Sequence, residues 1–109
     1  MIEVVYHRDY HRVTVKGHAR SGEPGHDLVC ASASILAYTL AGNVMNLSTG
    51  GAKTVRDPKI QMEEGHAVIS CSPVNRYKST VTLMFDSVCV GFDILAQKYP
   101  EFIKYEVRG

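Results

Sequence analysis

Short apolar stretches with alternating or helical spacing divide the chain into seven elements. Strands are predicted where apolar residues alternate with polar ones. These are Ile2–His7, Arg12–His18, Lys59–Glu64, His66–Ser72 and Phe102–Val107. Helices are predicted where apolar residues recur every three or four positions, from Leu28 to Leu47 and from Tyr77 to Leu95. The order β-β-α-β-β-α-β favours an α+β fold, in which two helices cover a largely antiparallel sheet of about five strands as a two-layer sandwich.

Both predicted helices are apolar nearly all round. No charged residue lies between Leu28 and Ala52, a length that could span a bilayer. However, Ser, Thr and Asn side chains are spread through this segment, and Lys or Arg anchors do not flank its N-terminal side. A helix without a solvated face must be covered on more than one side. We therefore expect no membrane contact, and a homodimer in which a second copy covers what the sheet does not.

Composition and charge narrow the class of protein. The 109 residues are enough for a single domain over 1–109, and 45% hydrophobic with 21% charged residues excludes a disordered chain. The net charge of +1 does not suggest the basic stripe that duplex nucleic acid requires, so no direct contact with nucleic acid is expected. Three cysteines without a CxxC pair do not form a disulfide framework. A reducing, cytoplasmic location fits best.

The densest chemistry lies between Gly17 and Ser34. Cys30 falls three residues after Asp27, which is the predicted N-cap of the first helix. The N–H groups and partial positive charge of a helix start would stabilise a thiolate, and could also hold an oxyanion on a substrate. A histidine within hydrogen-bond reach would complete a nucleophile–base pair. The loop that contains Gly22, Pro24 and Gly25 is long enough to bring His18 over Cys30, or to close on a substrate as a gate.

Two other interpretations of Cys30 remain open on the residues alone. A free cysteine is most often a small buried apolar side chain. Alternatively His18, His26 and Cys30 could hold zinc, although the absence of a second nearby cysteine disfavours it.

Several further side chains are predicted to have structural roles. Cys71 and Cys89 lie in apolar patterns and are expected in the core. Three histidines at strand ends or turns are expected to be solvated: His7, His11 and His66. Four side chains could line an apolar groove, although core packing is the better default for each: Tyr38, Met45, Met62 and Met84.

The string GHARSGEPGHDLVCASAS resembles the signature of the bacterial ribosomal-processing cysteine proteases, the Prp family. The family pattern is Gly-His-Ala, a Gly-containing loop, Gly-His-Asp, two apolar residues and Cys-Ala followed by small residues. Gly17-His18-Ala19, Gly25-His26-Asp27, Cys30-Ala31 and Ser34 all match it. Chain length and element order agree as well, so the resemblance covers the whole domain.

The resemblance implies a cytoplasmic, homodimeric endopeptidase that needs no metal or organic cofactor. Its substrate would be the N-terminal extension of bacterial large-subunit ribosomal protein twenty-seven, an apolar segment ending in a Phe-Phe pair. By family role Cys30 would be the nucleophile and His18 the general base. Asp27 would orient a histidine or only cap the helix, and Ser34 would line the site. The competing function is a non-enzymatic ribosome-assembly or peptide-binding module.

Overall fold

A five-stranded sheet forms one layer of the molecule and two long helices form the other. The computed structural model describes residues 1–17, 26–50 and 53–109, with only the backbone of His26. The strands are β1 (Ile2–His7), β2 (Arg12–Lys16), β3 (Val55–Glu63), β4 (His66–Pro73) and β5 (Ile103–Arg108), and the helices are α1 (His26–Thr49) and α2 (Lys78–Lys98). Single turns of 3₁₀ helix at Arg8–Tyr10 and Asn75–Tyr77 connect β1 to β2 and lead into α2. The predicted α+β sandwich and its element order are confirmed.

The sheet is mixed, with strand order β3-β4-β2-β1-β5. β1 pairs antiparallel with β2, β2 with β4, and β4 with β3, whereas β5 lies parallel to β1. The sheet is therefore largely antiparallel, as predicted. Several boundaries differ from the prediction: β2 ends at Lys16, two residues before its predicted end, and β5 is shifted by one residue to Ile103–Arg108. β3 begins at Val55 and passes through a bulge between Arg56 and Lys59, and Pro73 ends β4 as a paired residue. Pro58 is tolerated within the bulge because β3 is an edge strand, and Pro73 is tolerated because it ends β4.

Alternation along the strands places one apolar face of the sheet against the helices. In β1 the buried residues are Ile2, Val4 and Tyr6, and in β4 they are Ala67, Ile69 and Cys71. Facing them, α1 buries a stripe at spacings of three and four: Val29, Ala33, Ala37, Leu40 and Val44. The alanines in this stripe let the helix lie close to the sheet. α2 contributes the larger side chains: Val81, Phe85, Val88, Cys89 and Phe92.

The outer sides of both helices keep large apolar side chains in contact with solvent. On α1 these are Leu28, Ile35, Tyr38 and Met45, and on α2 they are Leu83, Val90 and Ile94. By length and composition alone, both helices are apolar enough to cross a membrane. Each helix nevertheless buries its other side against the sheet, so the exposed stripes are the apolar surfaces that the sheet leaves in contact with solvent.

Candidate active site

Cys30 is the fifth residue of α1, one turn inside its N-terminus. Helical Cα–Cβ bonds tilt toward the N-terminus, so this side chain lies beside the first turn, where backbone N–H groups have no helical acceptor. The Cys30 side chain is half-buried. It packs against the edge of the core and also lines a cleft. A thiol at this place can reach both solvent and a bound molecule.

The cleft has a volume of about 460 Å³ and lies between the start of α1 and the nearest end of the sheet. Its apolar lining comes from four elements that meet there: Ile2 of β1, Val15 of β2, Ala33 and Ala37 of α1, and Met62 of β3. The turn between β3 and β4 adds a polar wall of Glu63, Glu64 and His66. The arrangement suits an extended peptide, because apolar side chains can enter the lining while polar backbone stays accessible.

Gly17 closes the cleft at the end of β2. It has a φ of 110°, which L-amino acids with a side chain rarely adopt, and a Cβ at this position would overlap the carbonyl oxygen of Met1. Its N–H donates to the carbonyl oxygen of Gly65 at 3.0 Å, which ties the end of β2 to the β3–β4 turn. The backbone at the end of β2 therefore requires a glycine at position 17.

The structure brings three of the sequence-predicted site residues to this cleft: Asp27, Cys30 and Ser34. Ser34 is exposed and lies one turn after Cys30 on α1. The prediction that Asp27 is the N-cap is wrong, because α1 begins at His26 and Asp27 is already its second residue. A carboxylate there still interacts favourably with the helix dipole. Whether Asp27 also orients a histidine stays a prediction.

Several predicted site residues lie outside the described part of the chain. They are His18, Gly22, Pro24 and Gly25, together with the side chain of His26. The general-base role of His18, the gating loop and the zinc alternative therefore stay predictions. Among the residues that the structure does describe, no group of three or more His, Cys, Asp or Glu side chains is arranged to hold a metal ion.

Sequence reasoning missed part of the cleft. Tyr38 and Met62 were named as possible groove residues with core packing as the default; both line the cleft, and Tyr38 is 60% exposed. Glu63 and Glu64 were not singled out, and His66 was expected only to be solvated. The sequence feature that could have identified this wall is the turn at Gly65, which lies between two strands with alternating apolar residues. Alternation does not reveal that this turn sits opposite the start of α1, because that depends on which strand pairs with β2.

The other two thiols occupy different surroundings. Cys71 and Cys89 are buried in the core, as predicted. Burial raises the pKa of Cys71 to about 11 and that of Cys89 to about 12. Both remain neutral thiols at physiological pH. Cys30 is the only one of the three that lines the cleft.

A cluster of hydrogen-bonded polar side chains lies at the opposite end of β1, where α2 crosses the sheet. We call Tyr6, Arg8, His11, Thr82 and Asp86 the polar lock. The hydroxyl of Tyr6 donates to Oδ1 of Asp86 at 2.8 Å, and Nε and NH2 of Arg8 donate to its two oxygens at 3.1 and 3.0 Å. These contacts, above all the one with Arg8, hold the pKa of Asp86 below its usual range. Burial and the Asp86 contact raise the pKa of Tyr6.

His11 belongs to this lock, so the prediction that it is solvated is wrong. It is 3% exposed, and its Nε2 lies 2.7 Å from Oγ1 of Thr82. Its ring also packs edge-on against Phe85, with centroids 5.8 Å apart. Burial, followed by the nearby charges of Lys78 and Arg8, lowers its pKa. The turn that suggested exposure is covered by α2, which the local sequence does not indicate.

Comparisons with known proteins agree with this geometry. Residues 1–104 match the model of the family described as "Cysteine protease Prp". A ribosomal processing cysteine protease Prp of Staphylococcus aureus is 26% identical over 96 residues, which cover 88% of this chain and 85% of the relative.

Two solved structures share the fold over nearly the whole chain. One is the S. aureus Prp with a covalently linked product peptide, with a TM-score of 0.69 and 24% identity, covering 98% of this chain and 97% of the other. The other is SMU.848 from Streptococcus mutans, with a TM-score of 0.66 and 30% identity, covering 97% and 90%.

The family model and the named relative define the class of protein as a cysteine protease, and the fold agrees with that class. More particularly, the chain belongs to the cysteine protease Prp family, since the family model spans nearly all of it. This assignment favours the enzyme over the non-enzymatic module that the sequence had left open.

Proposed function

We propose that this cysteine protease removes the N-terminal extension of large-subunit ribosomal protein twenty-seven, with Cys30 as nucleophile and His18 as general base. The observation that carries the proposal is the place of Cys30: among the three thiols of the chain it alone lines the cleft, within the family signature. The S. aureus relative, named for ribosomal processing, supports the substrate class.

The reaction is an acyl transfer to Cys30. His18 accepts the thiol proton, and the thiolate attacks the carbonyl carbon of the scissile peptide bond to form a C–S bond. N–H groups of the first turn of α1 hold the resulting oxyanion, in the way helix N-termini stabilise developing negative charge. The C–N bond breaks, and the leaving amine takes the proton from His18. Water, deprotonated by His18, then attacks the thioester, which releases the carboxylate product and the Cys30 thiol.

The lining of the cleft supports an apolar substrate segment. Ile2, Val15 and Met62 provide surface on which aromatic side chains such as the expected Phe-Phe pair can be buried. Tyr38 lies at the exposed side of the same cleft and adds an aromatic ring. A cytoplasmic location follows from the proposed substrate.

The test is incubation of a synthetic extension peptide with purified protein, followed by mass spectrometry. Wild type is expected to produce two fragments that separate beside the Phe-Phe pair, whereas Cys30→Ser leaves the peptide intact. Cys89→Ser is the matched control, because it removes a helical thiol outside the cleft, and it is expected to cleave. A peptide in which Ala-Ala replaces the Phe-Phe pair tests the specificity alone, and its cleavage at the wild-type rate would reject the proposed specificity. Cleavage of the original peptide by Cys30→Ser would instead reject Cys30 as the nucleophile.

We also propose that the protein works as a homodimer. Leu28, Ile35, Tyr38 and Met45 form one stripe along α1, and each is at least 44% exposed. A contiguous apolar surface of this kind marks an interaction site, and a second copy offers the same stripe in return.

Light scattering after gel filtration is expected to give twice the chain mass for wild type and for the control Thr80→Glu on α2. Ile35→Glu is expected to be monomeric; a dimeric Ile35→Glu, or a monomeric wild type, would contradict the proposal.

A further inference from the structure

The face of the sheet that the helices do not cover carries charge in an ordered pattern. Strand register places outward side chains in rows that run across all five strands. One row, which we call the basic row, consists of Lys59, Ser70, Arg12, His7 and Arg108. It spans four inter-strand steps, about 19 Å. Three cations and a histidine thus lie side by side without an acidic residue within the row.

The other rows of the same face differ in charge. The middle row has a single charged residue and consists of Gln61, Val68, Thr14, Val5 and Glu106. The third row alternates in sign and consists of Glu63, His66, Lys16, Glu3 and Lys104. We call it the balanced row, because its two acids and two lysines offset one another. Positive charge is therefore concentrated at one end of the open face, although the net charge of the chain is only +1.

The basic row borders a depression in the open face. The depression has a volume of about 400 Å³; Arg12, Arg108 and His7 line one end of it, and Glu3 and Lys16 of the balanced row line the other. Burial, followed by the charges of Arg12 and Arg108, lowers the pKa of His7, as expected in a positive field. Glu106 offsets part of this field, since Arg108 donates to both of its oxygens at 3.0 Å.

An exposed aromatic ring stands beside the row. Tyr10 is 70% exposed, and the guanidinium of Arg12 lies 5.5 Å from the centre of its ring. Basic side chains interleaved with exposed aromatic rings are the surface that single-stranded nucleic acid recognises, because phosphates meet the cations and bases stack on the rings. Guanidinium groups add bidentate geometry that matches phosphate.

The net charge of the chain led us to expect no direct contact with nucleic acid. From the local pattern of charge we propose, against that expectation, that the basic row and Tyr10 bind the sugar–phosphate backbone of single-stranded RNA. A row of separate cations suits the regularly spaced phosphates of a flexible polyanion. The exposed ring of Tyr10 favours RNA over an acidic protein, because only RNA has bases that can stack on it. The surface is separate from the site of peptide cleavage, because the basic row lies at the opposite end of β1 and β2 from the cleft, which only the balanced row reaches, through Glu63 and His66. RNA and peptide can therefore be bound together.

The experiment measures fluorescence anisotropy of a labelled oligouridylate of about 12 nucleotides at salt concentrations from about 50 to 200 mM. Arg12→Gln/Arg108→Gln removes two charges from the basic row. Lys16→Gln/Lys104→Gln is its matched control, because it removes two charges from the same two strands and the same face, in the balanced row. Peptide cleavage by both double variants reports that the fold is intact.

Wild type is expected to bind with a dissociation constant that rises steeply with salt. The basic-row variant is expected to bind at least about 10-fold more weakly, with a salt slope smaller by about 1.4, since each single-strand phosphate contact contributes about 0.7. The balanced-row variant is expected to stay within about twofold of wild type. Tyr10→Leu is expected to weaken binding by about fivefold or more, because base stacking contributes about 1–3 kcal/mol.

Three results would overturn the proposal. The first is no saturable binding of the oligouridylate by wild type at the lowest salt. The second is equal weakening in both double variants, which would show a response to net charge alone. The third is that oligoglutamate or vesicles with anionic lipid displace the oligouridylate at equal charge concentration, which would assign the row to an acidic protein or to a membrane surface.

Discussion

The two ends of the sheet hold chemically similar groups in opposite situations. At the cleft end, the thiol of Cys30 is half-buried and faces open space. At the other end, the thiol of Cys89 is 2% exposed, and the neighbouring polar lock satisfies its own hydrogen bonds. Both thiols are carried by long apolar helices. The comparison shows that the exposure of a thiol in this fold depends on where its helix meets the sheet, because both residues are cysteines on long helices.

The largest expected difference between the two ends is catalytic. Cys30→Ser is expected to lower kcat/KM by about 10³-fold or more, because a hydroxyl replaces the attacking thiolate. Cys89→Ser is expected to keep kcat/KM within a few-fold and to lose stability instead, since it places a hydroxyl in an apolar core. Peptide cleavage and urea unfolding of both variants check this. Equal loss of activity in the two variants would contradict the prediction that only the thiol at the cleft end takes part in catalysis.

Alkylation of the folded wild-type protein sharpens the same comparison. At pH 7.5 the pKa of about 12 leaves almost no thiolate at Cys89, and that of about 11 leaves little at Cys71. Iodoacetamide is therefore expected to label Cys30 at least about 100-fold faster than either. Peptide mapping by mass spectrometry gives the three rates. Labelling of Cys71 or Cys89 at a comparable rate under native conditions would contradict the assignment.

Gly17→Ala tests the backbone of the cleft end. The positive φ and the overlap with Met1 are expected to lower the free energy of unfolding by about 2–4 kcal/mol and to reduce cleavage, because the start of the loop is displaced. Gly42→Ala is the control, since a Cβ there meets nothing within 4 Å. Its effect on stability is expected to stay within about 1 kcal/mol. Thermal unfolding and kcat/KM of the two variants give the answer.

The polar lock gives the smallest predicted effect, a dependence of stability on pH. Because the pKa of His11 is lowered in the folded state, the unfolded chain binds more protons below its own pKa of about 6.5. Stability is therefore expected to fall as the pH decreases from 6.5 toward the folded pKa.

Urea unfolding from pH 7.5 to 5 measures this slope. His11→Asn tolerates the left-handed backbone at this position, where φ is 49°, and is expected to flatten the dependence. His7→Asn is the comparison: the pKa of His7 is also lowered, but its side chain lies outside the lock and is only half-buried, so it is expected to contribute less. Asp86 does not interfere, since its lowered pKa moves its own contribution below about pH 4. An unchanged slope in His11→Asn would remove the buried histidine as the source.

The sequence pattern was sufficient for the elements and insufficient for their contacts. Alternation in β1 and β4 identified the buried faces, and the helical stripe containing Leu40 and Val44 identified the inner side of α1. Periodicity does not specify which strands pair, so the parallel contact of β5 with β1 was not predicted. The burial of His11 was missed for the same reason, because α2 covers it from 71 positions away along the chain.

For the site, the sequence predicted the thiol and its helix through a local motif. Asp27, Cys30 and Ser34 lie within two turns of α1, so their proximity follows from helix geometry. The wall of Glu63, Glu64 and His66 reaches the cleft through the pairing of β3, β4 and β2, which is a long-range property.

The parallel contact of β1 with β5 also bears on how fast the domain can form. Ile2 pairs with Ile103, so residues about a hundred positions apart must meet before the sheet is complete, and such distant pairing slows folding. β1 carries Ile2 of the cleft at one end and Tyr6 of the polar lock at the other. A chain still lacking β5 would leave one edge of β1 unpaired, and the cleft floor would gain its final support only late in folding.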